Sequence, residues 1–153
     1  MGYTHYFKDL TMSAPFVEAV EKFAKAAESH GVAIRGGDGY DEPVFRPDLV
    51  WINGDGMEGL DHETFWVPGK PDGFNFCKTA RKPYDAVVVA SLVWAIVNEA
   101  DGWENIGSDG TWEDWVDPTH NGSNPIGGIA LYEEVEGPLG EDDIHRIQDL
   151  IGE

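Results

Sequence analysis

From Ala86 to Val97 every residue except Ser91 is apolar, and no other segment restricts the fold as strongly. Twelve residues sit at the upper limit for a strand but are ordinary for a helix buried on most of its circumference. Pro83, tolerated in a first helical turn and nowhere deeper, and Gly102, just past Asn98, bound a helix predicted over Pro83 to Asn98. The apolar run is too short to cross a bilayer, which takes about 20 residues. Burying its Val, Leu, Ile and Trp side chains at roughly 1.5 to 3 kcal/mol each gives on the order of 15 to 25 kcal/mol of gross apolar transfer. This helix is expected to be the spine of the core.

The segment ahead of it, FNFCKTARKPYD, is basic in an acidic chain. There are 29 Asp and Glu against ten Lys and Arg, a formal net charge of −19. Four of those ten, Lys70, Lys78, Arg81 and Lys82, fall within thirteen positions. Two readings stand. In one, the cations and the N–H groups of a helix start form an anion site. In the other, they pair with the abundant carboxylates across the surface.

The chain has 153 residues and one cysteine, Cys77. That length suits one domain, 1–153, with a core that needs neither disulfide nor metal to hold it. A lone cysteine excludes an internal disulfide, and no signal-peptide pattern opens the chain, so a cytoplasmic location is expected. Strong acidity argues against direct binding of nucleic acid or anionic membranes. It leaves mimicry of nucleic acid toward a basic partner, a high-salt cytoplasm, or solubility alone.

In chain order, Gly2 to Phe7 is predicted as a first strand with Tyr3, His5 and Phe7 on one face. Ser13 reads as an N-cap with Pro15 in the first turn, and Phe16, Val17, Val20, Phe23, Ala24 and Ala27 fall at helical spacing up to His30. Val32 to Ile34 is expected to start a second strand before the turn-rich GGDGYDEP. Val44–Phe45, Leu49–Asn53 and Thr64–Val67 read as hairpin strands around the Asn53-Gly54-Asp55-Gly56 turn. Trp103, Trp112 and Trp115 suggest an aromatic wall at the core edge or a stacking surface. Residues 117–128 read as a long loop, Gly128 to Val135 as a last strand, and Glu141 to Ile151 as a short amphipathic helix.

Chemical motifs are sparse. His62-Glu63 lacks the second His of a zinc helix, Asp55 has no partner at metal-ligand spacing, and there is no phosphate loop, dinucleotide fingerprint or paired-Cys zinc motif. No metal or other cofactor is therefore expected. A covalent mechanism would have to use Cys77, the only cysteine, with His5 as the candidate base and the following basic residues lowering the thiol pKa if it is exposed.

GYTHYF at the start, WINGDG, the FNFCKTARKPYD block and the later SDG with its tryptophan together resemble a family of small uncharacterised phage and bacterial proteins that begin MGYTHYW or MGYTHYF. The likeness spans most of the chain in order, and FNFCKTA followed by PYD is its most specific part. Phe7 stands where Trp is commoner, and the middle section is shorter than is usual in that family. The resemblance implies a phage or prophage setting more than a chemistry, and places Tyr3, His5, Asn53, Cys77, Lys78, Thr79, Tyr84, Asp85 and Asp109 on the family's motifs.

The expectation is an α+β domain, a mainly antiparallel sheet packed against two principal helices. It would be a phage-type accessory protein of the host cytoplasm that binds a phosphorylated small molecule, a nucleotide or nucleotide signal, in a counter-defence role. Lys78, Arg81 and Lys82 would hold phosphate, and Tyr3, His5, Thr79, Asp109 and Trp112 complete the candidate ligand-binding set. No catalytic residue is assigned. The alternative is an acidic inhibitor or nucleic-acid mimic that blocks a basic site on a host defence protein. Oligomeric state is left open.

Overall fold

The computed structural model describes residues 3–10, 13–68, 73–120 and 124–152. Its elements are β1 (Thr4–Lys8), α1 (Ala14–Ser29), β2 (Val44–Arg46), β3 (Leu49–Ile52), β4 (Phe65–Pro68), β5 (Phe74–Lys78), α2 (Asp85–Val97), β6 (Gly107–Ser108), α3 (Trp112–Val116), α4 (Gly128–Glu136) and α5 (Glu141–Ile151). The fold is α+β. Lys70 and residues 121–123 lie outside the described residues, so nothing is assigned to them.

The apolar run is the spine. Within α2 every residue from Ala86 to Ile96 except Trp94 is buried, because α1 and α4 pack on its flanks and α5 and Trp103 close its far end. Ser91, its one polar residue, returns its hydroxyl to the Val87 carbonyl at 2.7 Å, which satisfies the group inside the helix. In α1 the Ser13 hydroxyl accepts from the Phe16 N–H, and the stripe Phe16, Val17, Val20, Phe23, Ala24 and Ala27 is buried as its spacing requires.

The strands form two three-stranded antiparallel sheets where one was expected, ordered β5-β1-β6 and β2-β3-β4. β1 is central in the first, so Tyr3, His5 and Phe7 all face the core. Val32 and Ile34 are buried but do not open a strand; only an isolated bridge joins Arg35 to Asn53. The chain turns there instead, through the Gly36 and Gly39 N–H bonds to Asp41 and Gly36.

Gly128 to Val135, expected as a strand, is the helix α4. Its buried residues Gly128, Ile129, Leu131 and Tyr132 recur at helical spacing, and Ala, Leu and Glu favour that conformation. The glycine lets α4 sit against α2: a Cβ on Gly128 would lie 2.2 Å from Val89 Cγ1. Among the described residues no helix is long and apolar enough to cross a membrane.

Candidate functional site

The polar heart of the molecule is His5. Pairing of β1 with β5 and β6 sets it opposite Cys77 and Ser108, and no part of it reaches solvent. Its Nε2 is 2.6 Å from Asp85 Oδ1 and its Nδ1 2.8 Å from Ser108 Oγ. The Ser108 oxygen also accepts the Gly110 N–H at 2.8 Å. A hydrogen on Nε2 satisfies every contact: the ring donates to Asp85, and Ser108 donates to Nδ1 while accepting from Gly110. Thr79 Oγ1 donates to the same Asp85 oxygen at 2.6 Å. Tyr3 and Trp115 meet the imidazole edge-on, at centroid separations of 5.1 and 5.8 Å, so ring packing and hydrogen bonds both fix its plane.

Asp85 is the first residue of α2, where a carboxylate complements the helix dipole. It is also the point at which this buried chain meets a cleft shared with Tyr3, Arg81, Asp114, His120 and Asn124 and closed by the Gly127-Gly128 start of α4. The open space in the cleft is about 20 Å³, room for one water-sized polar group. Burial, then the Asp85 and Asp114 charges, push the Tyr3 phenol far above its ordinary value, against a smaller opposing pull from Arg81. At the mouth, side-chain and backbone bonds from Thr119 hold the Asp117 carboxyl below the usual carboxylate range.

Arg81 reaches the cleft through strained backbone. Ala80 and Arg81 are both left-handed, at φ 52° and 55°, a conformation costing non-glycine residues on the order of 1 kcal/mol or more each. Asn124 Nδ2 donates to the Arg81 carbonyl at 2.9 Å and braces the turn. The guanidinium then lies 4.2 Å from the Tyr3 ring centroid, a cation–π contact.

Asp114 comes from the short helix α3. Its Oδ2 accepts from the Thr111 N–H at 3.0 Å, while Thr111 Oγ1 accepts from the Asp114 N–H, a reciprocal capping box. Its Oδ1 stands 3.5 Å from Arg81 Nε and 3.7 Å from His120 Nε2. Neither Oδ1 nor Arg81 Nε completes a hydrogen bond, although the Asp114 side chain is only 5% exposed. Buried polar atoms are rarely left so; the two form a long ion pair, and a small polar group seated beside both would complete the hydrogen bond that each lacks.

Of the residues marked in the sequence, Tyr3 and Arg81 line this cleft, and His5 and Thr79 stand directly behind it. Lys78 is exposed on β5, Lys82 Nζ donates to the Gly59 carbonyl at 3.1 Å, and Asp109 accepts from Tyr6 Oη at 2.8 Å; these three are not among the cleft residues. Trp112 is half-buried against the core. The α2 start does not offer free N–H groups to an anion, because those of Asp85, Ala86 and Val87 are paired with the Lys82, Pro83 and Tyr84 carbonyls.

The conditional thiolate reading of Cys77 is corrected. The thiol is fully buried with Sγ 3.6 Å from the Glu63 carbonyl, and burial pushes its pKa up instead of down. Asp55 caps the Met57 N–H and lies 3.6 Å from Arg35, a turn role.

Sequence reading missed Ser108, Asp114, His120 and Asn124 as site residues. The one local signal, the Thr111-x-x-Asp114 spacing of a capping pair, marks a helix start and does not tie it to residue 81. Comparison with protein-family models, with curated proteins and with solved structures finds no match for this chain.

Proposed function

We propose that the chain is a small-molecule-binding protein, and that the cleft between the heads of α2 and α4 takes a hydroxyl-bearing ligand such as a sugar or the ribose of a nucleoside. The observation that carries this reading is the buried Asp114 Oδ1 facing Arg81 Nε at 3.5 Å, each without a hydrogen bond. A hydroxyl seated beside both atoms donates to the carboxylate and accepts from the guanidinium, and so gives each the hydrogen bond that their 3.5 Å ion pair does not. Asp85 supplies a second acceptor beside it, and His5 and Thr79 hold that carboxylate in place. The cleft admits only the tip of a ligand, so the remainder would lie outside it, on the solvent side of Asp117 and His120.

Charge decides what else the ligand carries. Asp85 and Asp114 outnumber Arg81, which disfavours a phosphate beside them; a phosphate on a nucleotide would be tolerated only beyond Asp117, in solvent. In the phage or prophage setting that the resemblance implies, a host nucleoside or nucleotide is the ligand such a protein would sequester.

The test is a thermal-shift and calorimetric panel of monosaccharides, nucleosides and the matching phosphate esters at fixed salt. A ligand that binds only the folded state must raise the melting temperature. Nucleosides or sugars are expected to bind, and Asp114→Asn to weaken them about tenfold or more, as loss of a hydrogen bond to a charged group does. Binding that requires the phosphate, or that survives Asp114→Asn unchanged, refutes the reading.

A further inference from the structure

The β2-β3-β4 sheet is largely apolar on both of its faces, with Arg46, opposite Leu49, the exception on the outer one. Phe45, Val50, Ile52, Phe65 and Val67 pack inward on the core. The opposite face would ordinarily be polar in an antiparallel sheet covered on one side only. Here Val44, Trp51 and Trp66 are directly cross-strand, Val44 opposite Trp51 and Trp51 opposite Trp66, and Leu49 follows in the next outward row. With Thr64 these side chains line an open groove of about 550 Å³. Trp66 is 39% exposed.

The groove is preformed. Trp51 rests on the backbone of Gly36 and Gly37, so closely that a Cβ on Gly37 would lie 2.1 Å from its Nε1. This gives the Gly-Gly pair a role that turn geometry alone does not require, since neither glycine has positive φ. An ordered aromatic anchor site loses little conformational entropy when a partner arrives.

The rim is acidic. The loop leaving that glycine floor carries exposed Asp38, Asp41 and Glu42, and the β2-β3 turn carries Asp48. Arg46 with Asp48 at 3.3 Å and Arg35 with Asp55 at 3.6 Å are pairs that cancel, so the net charge of the rim is that of Asp38, Asp41 and Glu42. A net charge of −19 repels a second copy of the chain, a nucleic acid and an anionic surface alike, and draws in a cationic partner.

We infer that this sheet face docks a basic protein segment, one that presents a bulky apolar side chain to Trp51 and Trp66 with Lys or Arg on either side facing the carboxylate rim. It is a second site, independent of the cleft at α2. Apolar contact supplies the affinity, and the acidic rim supplies orientation and speed of encounter.

Fluorescence anisotropy with three labelled octapeptides, alternating Arg-Leu, Arg-Ser and Glu-Leu, tests it. The Arg-Leu peptide is expected to bind about tenfold tighter than Arg-Ser, the scale of burying one large apolar side chain, to weaken as salt rises, and to outbind Glu-Leu. Trp66→Ser should bring Arg-Leu down to the Arg-Ser level. The rim variant Asp41→Lys with Glu42→Lys, which leaves both tryptophans intact, should lower affinity for Arg-Leu and erase most of its salt dependence. Circular dichroism of each variant confirms folding. Equal binding of Arg-Leu and Arg-Ser, indifference to Trp66→Ser in a folded variant, or a concentration-dependent dimer that Trp66→Ser dissolves would each overturn the inference, the last by assigning the face to a second copy.

Discussion

The chain Ser108–His5–Asp85–Thr79 is the part of the site most directly open to measurement, and a double-mutant cycle on His5 and Asp85 weighs it. His5→Phe keeps a flat ring between Tyr3 and Trp115 but removes both nitrogens; Asp85→Ala removes the shared acceptor. The His5 ring is wholly buried and the Asp85 side chain 13% exposed, so little solvent screening discounts their 2.6 Å contact. Hydrogen bonds to charged groups contribute about 1.5 to 3 kcal/mol, and each partner left behind costs a desolvation penalty of similar size. Asp85→Ala strands both the Thr79 hydroxyl and the imidazole, and an expected loss of about 3 kcal/mol follows. For a domain of this size that lowers Tm by roughly 6 to 12 °C. The coupling should exceed about 1 kcal/mol, because each single change already removes the same bond; any overpacking by the larger phenyl ring cancels around the cycle. Urea unfolding followed by circular dichroism, with unchanged m-values as the control, gives all four free energies. Additivity within about 0.5 kcal/mol would mean that the contact contributes nothing specific, and the account of a braced Asp85 would fall with it.

Alkaline pH probes the buried hydroxyls and thiol. Burial raises Tyr3, Tyr84 and Cys77 above their ordinary values, so above about pH 8.5 for the thiol and pH 10 for the phenols the unfolded chain releases protons that the folded chain keeps. Stability is therefore full below those values and falls as pH rises, by up to about 4 kcal/mol per pH unit once all three unfolded groups ionise; urea midpoints from pH 7 to 11 check this, and a flat profile contradicts it. For the same reason Cys77 should resist a thiol-reactive disulfide reagent in the native protein and react at the rate of unfolding; prompt labelling at pH 8 would show the thiol to be accessible. Gly37→Ala should drive a methyl group into Trp51 and cost about 1 to 3 kcal/mol, read from the urea midpoint and from a shift in tryptophan emission; a stability change under 0.5 kcal/mol would show that the indole does not rest on that backbone. Asn124→Ala releases the brace on the left-handed Ala80-Arg81 turn and should weaken ligand binding in the cleft with little loss of global stability, as calorimetry and melting will show.

Local pattern decided more of the fold than of the site. The α2 helix, the Ser13-capped α1, the three hairpin strands and α5 were all legible because each is written in short-range periodicity and capping chemistry. The Gly128–Glu136 segment misled because its Ile-Ala-Leu run satisfies a strand's alternation as well as a helix's spacing; contact with α2 through Gly128 chose between them. The two sheets were read as one because nothing in a strand's own residues says which strand it pairs with. At the site, Tyr3, His5, Thr79 and Arg81 were singled out, while Asp114, His120 and Asn124 carry no spacing signal that links them to residues 33 to 121 positions away.

By itself, then, the sequence determined a protein built on one greasy helix, acidic throughout, with a single thiol and a cluster of cations ahead of that helix. The tertiary structure decided what those cations do. Arg81 turns through a left-handed backbone onto Tyr3 and Asp114, Lys82 turns back to Gly59, and Lys78 stands on the exposed face of a strand. Neighbours in a chain share a location, but the direction in which each side chain leaves it is set by backbone angles and packing partners, and those are settled only when distant segments meet.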